Sequence, residues 1–178
     1  PSPASGSIVQ ALDLEELVAQ SDRIVIGRVV FSESFQRRSG AITTWYRIEV
    51  ERDLREGALP DSAEREVIVQ VMGGRIGNLG MRVEGEPSFT EGERALIFIR
   101  DGGGLVFRPV GMAQGVMRIR SDNGNETVQQ SREGMMLVRR NSTGRLEASE
   151  GALPRKERLD TVIERVRAAV RKQAGAAR

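Results

Sequence analysis

Short apolar segments rich in β-branched residues recur along this chain, separated by turns that contain Gly, Asn and Asp. The segments lie at 24–31, 43–51, 67–72, 95–99, 105–110, 116–120, 127–130 and 135–140. Parallel strands need long crossovers, which are usually helical, and almost no helical periodicity lies between these segments. The spacing therefore predicts an antiparallel barrel or sandwich.

The segments differ in how their two faces are composed. Residues 24–31 and 95–99 are apolar on both faces, which is typical of central strands with a covering layer. Residues 43–51 alternate instead, with Thr44, Tyr46, Ile48 and Val50 on one face and Trp45, Arg47, Glu49 and Glu51 on the other. We expect a buried core that includes Val25, Val29, Ile48, Val50, Val69, Ile97, Phe98 and Ile99.

Turn residues predict how neighbouring segments pair. We expect residues 105–110 to form a hairpin with 95–99, and 116–120 to pair with 127–130 across a turn at 122–125. Residues 135–140 and 145–146 are predicted to form another hairpin. Residues 55–65 are predicted to form a loop, and 81–84 a further short strand.

Helical signals lie only near the two ends of the chain. Asp13 is a predicted N-cap with Glu16 three residues later, so a short helix is expected over 13–20. Pro154 is predicted to occupy the first helical position of a longer C-terminal helix. We therefore divide the chain into a flexible N-terminus at 1–12, a β domain at 13–150 and an amphipathic helix at 151–178.

The C-terminal segment combines an apolar stripe with basic flanks. The stripe consists of Leu159, Val162, Ile163, Val166, Ala169 and Val170. Such a stripe must be covered, and the sequence leaves open whether the β domain, a second copy or a partner protein covers it. Our candidate contact residues here are Val162, Val166, Arg167, Val170 and Arg171.

Composition excludes several chemistries among the 178 residues. The chain contains no Cys and no His, which removes disulfides, thiol nucleophiles, imidazole bases and zinc sites built from those residues. Charge is uneven: residues 1–129 carry 15 basic and 19 acidic side chains, and residues 130–178 carry 12 and 6. No apolar stretch reaches the roughly 20 residues of a membrane-spanning helix.

Trp45 is the only tryptophan, and it marks the second candidate site. Together with Arg47, Arg37 and Arg38 it could stack on a base and hold a phosphate. Trp45 has no obvious second ring beside it, which favours packing beneath one of the terminal helices over a binding site.

The remaining candidates favour structural explanations. The Gly-rich stretch 73–80 follows a strand, but no helix start follows it, which favours a bulged loop over a phosphate site. The acidic pairs Glu49 with Glu51 and Glu84 with Glu86 are typical of solvated strands. Residues 122–126 carry oxygen ligands but are too few for a 12-residue calcium loop.

Three stretches resemble a known family: LVAQSDRIVIGRV at 17–29, GGRIGNLGMRVEGEPSFTEGERALIFIR at 73–100 and VGMAQGVMRI at 110–119. They resemble a family of exported bacterial proteins of unassigned function, whose barrel is similar to the OB-fold and to the netrin-like domain. The resemblance covers roughly residues 12–130 and implies an OB-like barrel, but it brings no catalytic residues. Netrin-like metalloprotease inhibitors chelate zinc through an N-terminal cysteine, and this chain has none.

These observations predict a mainly β protein: an antiparallel, OB-like barrel of five to seven strands with a short N-terminal and a longer C-terminal helix. We expect a non-enzymatic, exported binding or scaffold module without cofactor or metal. It would engage a protein partner, or a second copy, through its barrel surface or its basic C-terminal helix. The alternative is a binder of single-stranded nucleic acid or another polyanion.

Overall fold

The computed structural model describes residues 6–55, 65–132, 134–152 and 156–176. The strands are β1 (Ser7–Gln10), β2 (Arg23–Gln36), β3 (Ile42–Asp53), β4 (Glu66–Met72), β5 (Gly74–Ile76), β6 (Leu79–Met81), β7 (Arg94–Asp101), β8 (Val106–Pro109), β9 (Val116–Asp122), β10 (Asn125–Gln130), β11 (Met135–Arg140), β12 (Leu146–Ala148) and β13 (Glu157–Arg158). The helices are α1 (Leu14–Ala19), α2 (Leu159–Ala176) and a 3-10 turn at Met112–Gly115. The protein is therefore mainly β with a short N-terminal and a longer C-terminal helix, as predicted.

The largest sheet is mixed, so the prediction of purely antiparallel strands is wrong. Its order is β13-β10-β9-β7-β2-β3-β4-β8, and β8 pairs in parallel with β4 and antiparallel with β7. These pairings link β2, β3, β4, β8 and β7 in a cycle. Because five is an odd number, neighbours in such a cycle cannot all alternate in direction, and one pair must be parallel.

The predicted hairpins are confirmed. Strands β7 and β8 pair, as do β9 and β10, and β11 and β12. Between β9 and β10, Asn123 and Gly124 both have positive φ, which matches a two-residue hairpin turn. The Gly-rich stretch forms the small hairpin β5–β6 instead of the predicted bulged loop. The predicted strand at 81–84 is wrong, because only Met81, the last residue of β6, lies in a strand.

The two ends of the chain differ from expectation. Ser7–Gln10, predicted as flexible, forms β1 and pairs in parallel with β11, a partner about 130 residues away that gives no local sequence signal. Helix α1 has the predicted capping box of Asp13 and Glu16. Pro154 lies outside the described residues, as does most of the predicted loop at 55–65. Since β13 precedes Leu159, helix α2 begins later than the proline predicts.

Two apolar cores lie on opposite sides of β2 and β7. Alternate residues of these strands, including Val25, Val29, Ile97 and Ile99, face β3 and β4 in one core. The others, including Ile24, Ile26, Leu96 and Phe98, face α1 and α2 in the second. All eight predicted core residues are buried. Both faces of β2 and β7 are therefore apolar because one face packs against β3 and β4 and the other against α1 and α2.

Helix α2 packs into the second core of its own chain. Leu159, Val162, Ile163, Val166 and Ala169 are buried there, and Val170 is half-buried. The contact with α1 includes a hydrogen bond in which Gln173 Nε2 donates to the backbone oxygen of Glu15 at 3.1 Å. Among the alternatives that the sequence leaves open, the structure shows cover by the β domain and α1. Neither helix, over the described residues, has the length and apolar content needed to cross a membrane.

Two buried residues, Gln114 and Gly27, are closely surrounded by other parts of the chain. Gln114 is fully buried; its Oε1 accepts from the Leu12 amide at 2.9 Å, and its Nε2 donates to the Gln10 carbonyl at 3.0 Å. It thereby ties the segment after β1 to the 3-10 turn. Gly27 lies at an irregularity of β2, where an added Cβ would come within 2.5 Å of the Glu49 carbonyl oxygen.

Candidate functional site

The outer surface of β2 and β3 carries three aromatic rings and an arginine, which we call the outer aromatic face: Phe31, Phe35, Trp45 and Arg47. In the pairing of the two strands, Phe31 lies opposite Arg47. The Arg47 guanidinium carbon lies 5.2 Å from the centre of the Phe31 ring, a cation–π contact. Phe35 and Trp45 meet edge to face with centroids 4.9 Å apart.

Strand alternation explains why these rings face outward. Tyr46, between Trp45 and Arg47, points into the first core and packs edge to face on Phe89 at 4.9 Å. Its neighbours must then point to the opposite side. Trp45 is 39% exposed and Phe31 44% exposed. The expectation that Trp45 packs beneath a terminal helix is wrong. Helices α1 and α2 cover β2 and β7 around residues 24–26 and 96–98, and Trp45 is not part of that core.

A shallow apolar groove continues the outer aromatic face across β4 and β8. Arg47 lies beside Ile68 of β4, which lies beside Val106 of β8. The groove has a volume of about 810 Å³ and includes Leu105, which is 86% exposed. Its charged lining is mixed, with Asp22, Glu66 and Asp101 against Arg23 and Arg47. Exposed large apolar side chains in a connected patch are typical of interaction surfaces.

The other two arginines of the predicted site lie at one end of this face. Arg37 is exposed, and its Nε donates to Thr43 Oγ1 at 2.9 Å. Arg38 is exposed in the turn between β2 and β3. The structure thus places Arg37, Arg38, Trp45 and Arg47 on one hairpin, where the sequence predicted them, with Arg37 engaged by its own chain.

The predicted contact residues of the C-terminal helix divide between its two sides. Val162 and Val166 are fully buried, and Val170 is half-buried, so this side is occupied by the second core. Arg167 and Arg171 are exposed on the opposite side. In this conformation only the basic side of α2 is accessible to another molecule.

In the first of the acidic pairs singled out in the sequence, Glu49 is exposed and Glu51 is paired with an arginine. Glu51 receives hydrogen bonds from Arg94, which also binds Glu126, and these two carboxylates hold the pKa of Arg94 above its ordinary value. The three side chains line a cleft of about 340 Å³ beside the start of α2. Both carboxylates are therefore paired with one guanidinium.

Glu84 and Glu86 also have separate surroundings. Glu84 pairs with Arg82 at 3.0 Å. Burial raises the pKa of Glu86, against the opposing effects of a hydrogen bond from the Met72 backbone and the charge of Arg108. Within the described ranges, no group of three or more acidic side chains is arranged to hold a metal ion.

Phe31, Phe35 and Leu105 were missed as site residues by the sequence reasoning. The strand was predicted to end at Phe31, whereas β2 continues to Gln36. Alternation of Phe31, Glu33 and Phe35 is the signal that could have placed both rings on the face of Trp45. Leu105 follows three glycines, and no local pattern shows that it projects from the surface.

Comparisons of the chain with models of known protein families and with curated protein sequences find no match.

Proposed function

We propose that this protein is a non-enzymatic binding module that engages a partner protein through the outer aromatic face and the adjoining groove. The observation that carries the proposal is the exposure of Trp45 and Phe31 on the face that carries Arg47, together with the exposed Leu105, which lines one groove with Arg47. Tryptophan, other aromatic residues and arginine are enriched at the energetic centres of protein interfaces. Removing these side chains from water on binding would supply the favourable free energy.

The mixed charge of the groove favours a protein partner over a polyanion. Asp22, Glu66 and Asp101 would repel phosphates that lay along the groove. A protein surface can offer apolar side chains to Leu105 and charges of both signs to the rim.

The proposal extends to the fold and the location. The cycle of β2, β3, β4, β8 and β7, with one parallel pair, supports an OB-like barrel. Ligands of OB-folds bind on the second and third strands, which correspond to β3 and β4 here.

Export of the protein is also part of the proposal. The family resemblance and the lack of cysteine in the sequence support it. Fractionation of cells that express the full reading frame tests it.

Photo-crosslinking from the face tests the protein partner directly. A photoreactive residue at Phe31 should yield, in cells, a discrete cross-link to a different protein, which its mass distinguishes from a cross-link to a second copy of this chain. The additional substitution Trp45→Ala should abolish it. The matched control is a photoreactive residue at Leu146, which is similarly exposed, at 57%, on a different sheet. Equal cross-linking from Leu146, or no effect of Trp45→Ala, would refute the proposed surface.

A second candidate function, binding of single-stranded nucleic acid, is favoured by one specific observation. Trp45 has two further rings on its own face, Phe31 and Phe35, and three arginines nearby. Successive bases can stack on such rings while arginines contact phosphates.

Because Trp45 is the only tryptophan, its fluorescence reports directly on this site. If the second candidate is right, an oligothymidylate should quench it at low salt, and affinity should fall by orders of magnitude between about 50 and 200 mM salt. An unchanged spectrum at low salt would remove nucleic acid from consideration and leave the protein partner.

A further inference from the structure

The far end of β2 has an unpaired edge. Strand β2 pairs with β3 as far as Gln36, but with β7 only as far as Arg28. The loop before β7 follows β2 slightly further: the Val29 amide donates to the Glu93 carbonyl, and the Gly92 amide donates to the Val29 carbonyl. Beyond this point, no strand among the described residues is hydrogen-bonded to β2 on that side.

The register identifies which backbone groups face this open edge. The Ser32 amide donates to Glu91 Oε1 at 3.2 Å, so it points away from β3. Backbone groups alternate in direction along a strand, and those of Ser34 and Gln36 therefore point the same way. The Arg37 amide points the other way, toward β3, and donates to the Ala41 carbonyl within the hairpin. A row of outward donors and acceptors from Ser32 to Gln36 is a template for another strand.

We propose that a second copy of this chain occupies the edge, by antiparallel pairing of β2 with β2 about a two-fold axis at Ser34. This arrangement joins the two sheets through Ser32–Gln36. It does not depend on the proposed function, because it uses the edge of β2 and no partner protein.

The side chains of β2 are self-complementary in this register. Glu33 would lie opposite Phe35 of the second copy, and Phe31 opposite Arg37 of the second copy, which repeats the cation–π pairing that Phe31 already makes. Ser32 would lie opposite Gln36. Shifting the register by two residues one way places Glu33 opposite its own counterpart, and shifting it the other way pairs Ser32 with Arg38, which lies in the turn after the strand.

Charges beside the edge also complement each other between copies. Glu33 and Glu91 lie along the first part of the edge, and Arg37 and Arg38 lie at its end. Antiparallel pairing brings the acidic part of each copy to the basic end of the other, and the two-fold axis repeats this contact. Glu91 would exchange its bond with Ser32 for the arginines, which frees the Ser32 amide for the Gln36 carbonyl of the second copy.

Engineered disulfides test both the dimer and its register, because the chain contains no native cysteine. Facing residues at the Glu33 and Phe35 positions form a non-hydrogen-bonded pair, whose Cα atoms lie about 4.5 Å apart, within the range of disulfides. A mixture of the single variants Glu33→Cys and Phe35→Cys should give the mixed disulfide as its main oxidised product. The control mixture of Phe31→Cys and Phe35→Cys, which do not face each other in this register, should not.

The untagged wild-type protein supplies the second measurement, its mass by sedimentation over a wide concentration range. We expect a dimer that Ser34→Pro abolishes. Proline removes an amide that has no strand partner within the monomer, and also the contact of Ser34 Oγ with Thr44 Oγ1 at 2.9 Å. The matched control is Ser34→Ala, which loses only that contact and should still dimerise; circular dichroism checks that both variants keep the wild-type fold. Glu91→Arg should weaken the dimer, and more strongly at low salt.

The outcomes are separable. A dimer lost in Ser34→Pro, together with the selective mixed disulfide, establishes the pairing. A monomer at every concentration, a dimer unaffected by Ser34→Pro, or equal disulfide yields in the two mixtures overturns it. None of these results depends on the cross-linking from Phe31, so this inference and the proposed function can fail separately.

Discussion

Truncation of a single buried side chain measures how firmly α2 belongs to the fold. Val166 is fully buried in the second core, beside side chains of α1 and of β2 and β7. Val166→Ala removes two methyl groups, which costs about 1.6 kcal/mol of transfer free energy at about 0.8 kcal/mol each. A residual cavity of about 50 Å³ adds about 1.2 kcal/mol at about 24 cal/mol per Å³. We therefore expect a loss of about 3 kcal/mol in the free energy of unfolding.

Urea unfolding, followed by far-UV circular dichroism, measures this loss as a lower midpoint with an unchanged slope. Val166→Asp should cost more, because it buries a charge without a partner. Arg167→Asp is the matched control: it places the same carboxylate one residue away, on the exposed side of α2, and should change stability by less than about 0.5 kcal/mol. If Val166→Ala lay within about 0.5 kcal/mol of the wild type, α2 would not be part of the core and the reasoning would fail.

Three further changes test the framework by the same assay. Gly27→Ala should destabilise by about 1–3 kcal/mol because its Cβ meets backbone, whereas Gly80→Ala, with open space around it, should be nearly neutral; equal effects would contradict this. Gln114→Leu should cost about 2–5 kcal/mol and speed hydrogen exchange of the Leu12 amide, and slow exchange would argue against the bond. Because burial raises the pKa of Glu86, the folded state holds that proton more tightly than the unfolded chain, and the stability contribution falls as pH rises through the raised pKa. Glu86→Gln should therefore stabilise at neutral pH but not below the ordinary carboxyl pKa, and a larger gain in acid would contradict the sign.

Part of the candidate site could be predicted from the sequence. The period of two in β3 placed Trp45 and Arg47 on the face opposite Tyr46, and the structure agrees. The exposure of that face could not be predicted, since the sequence left a covering helix open. The predicted length of β2 also affected the site. Because the strand was predicted to end at Phe31, Phe35, the ring that contacts Trp45, was not assigned to this face.

The C-terminal helix shows the same division. Its apolar stripe was evident from spacing, and so was the need for a cover, because several large side chains cannot stay in water without a large cost. Which surface provides the cover is a matter of packing between distant segments. In the structure Val162 and Val166 meet α1 and the outer sides of β2 and β7, which leaves Arg167 and Arg171 in solvent.

The sequence by itself determined the local features: the strand faces, the capping box at Asp13, the hairpins and the amphipathic helix. Each depends on residues within a few positions of one another, where periodicity and turn chemistry act directly. Only the tertiary structure decided the parallel pairing of β1 with β11 and of β4 with β8, and the open edge of β2. Backbone hydrogen bonds between strands are nearly independent of side-chain identity, so pairing partners far apart in the chain are selected by the packing of the whole molecule.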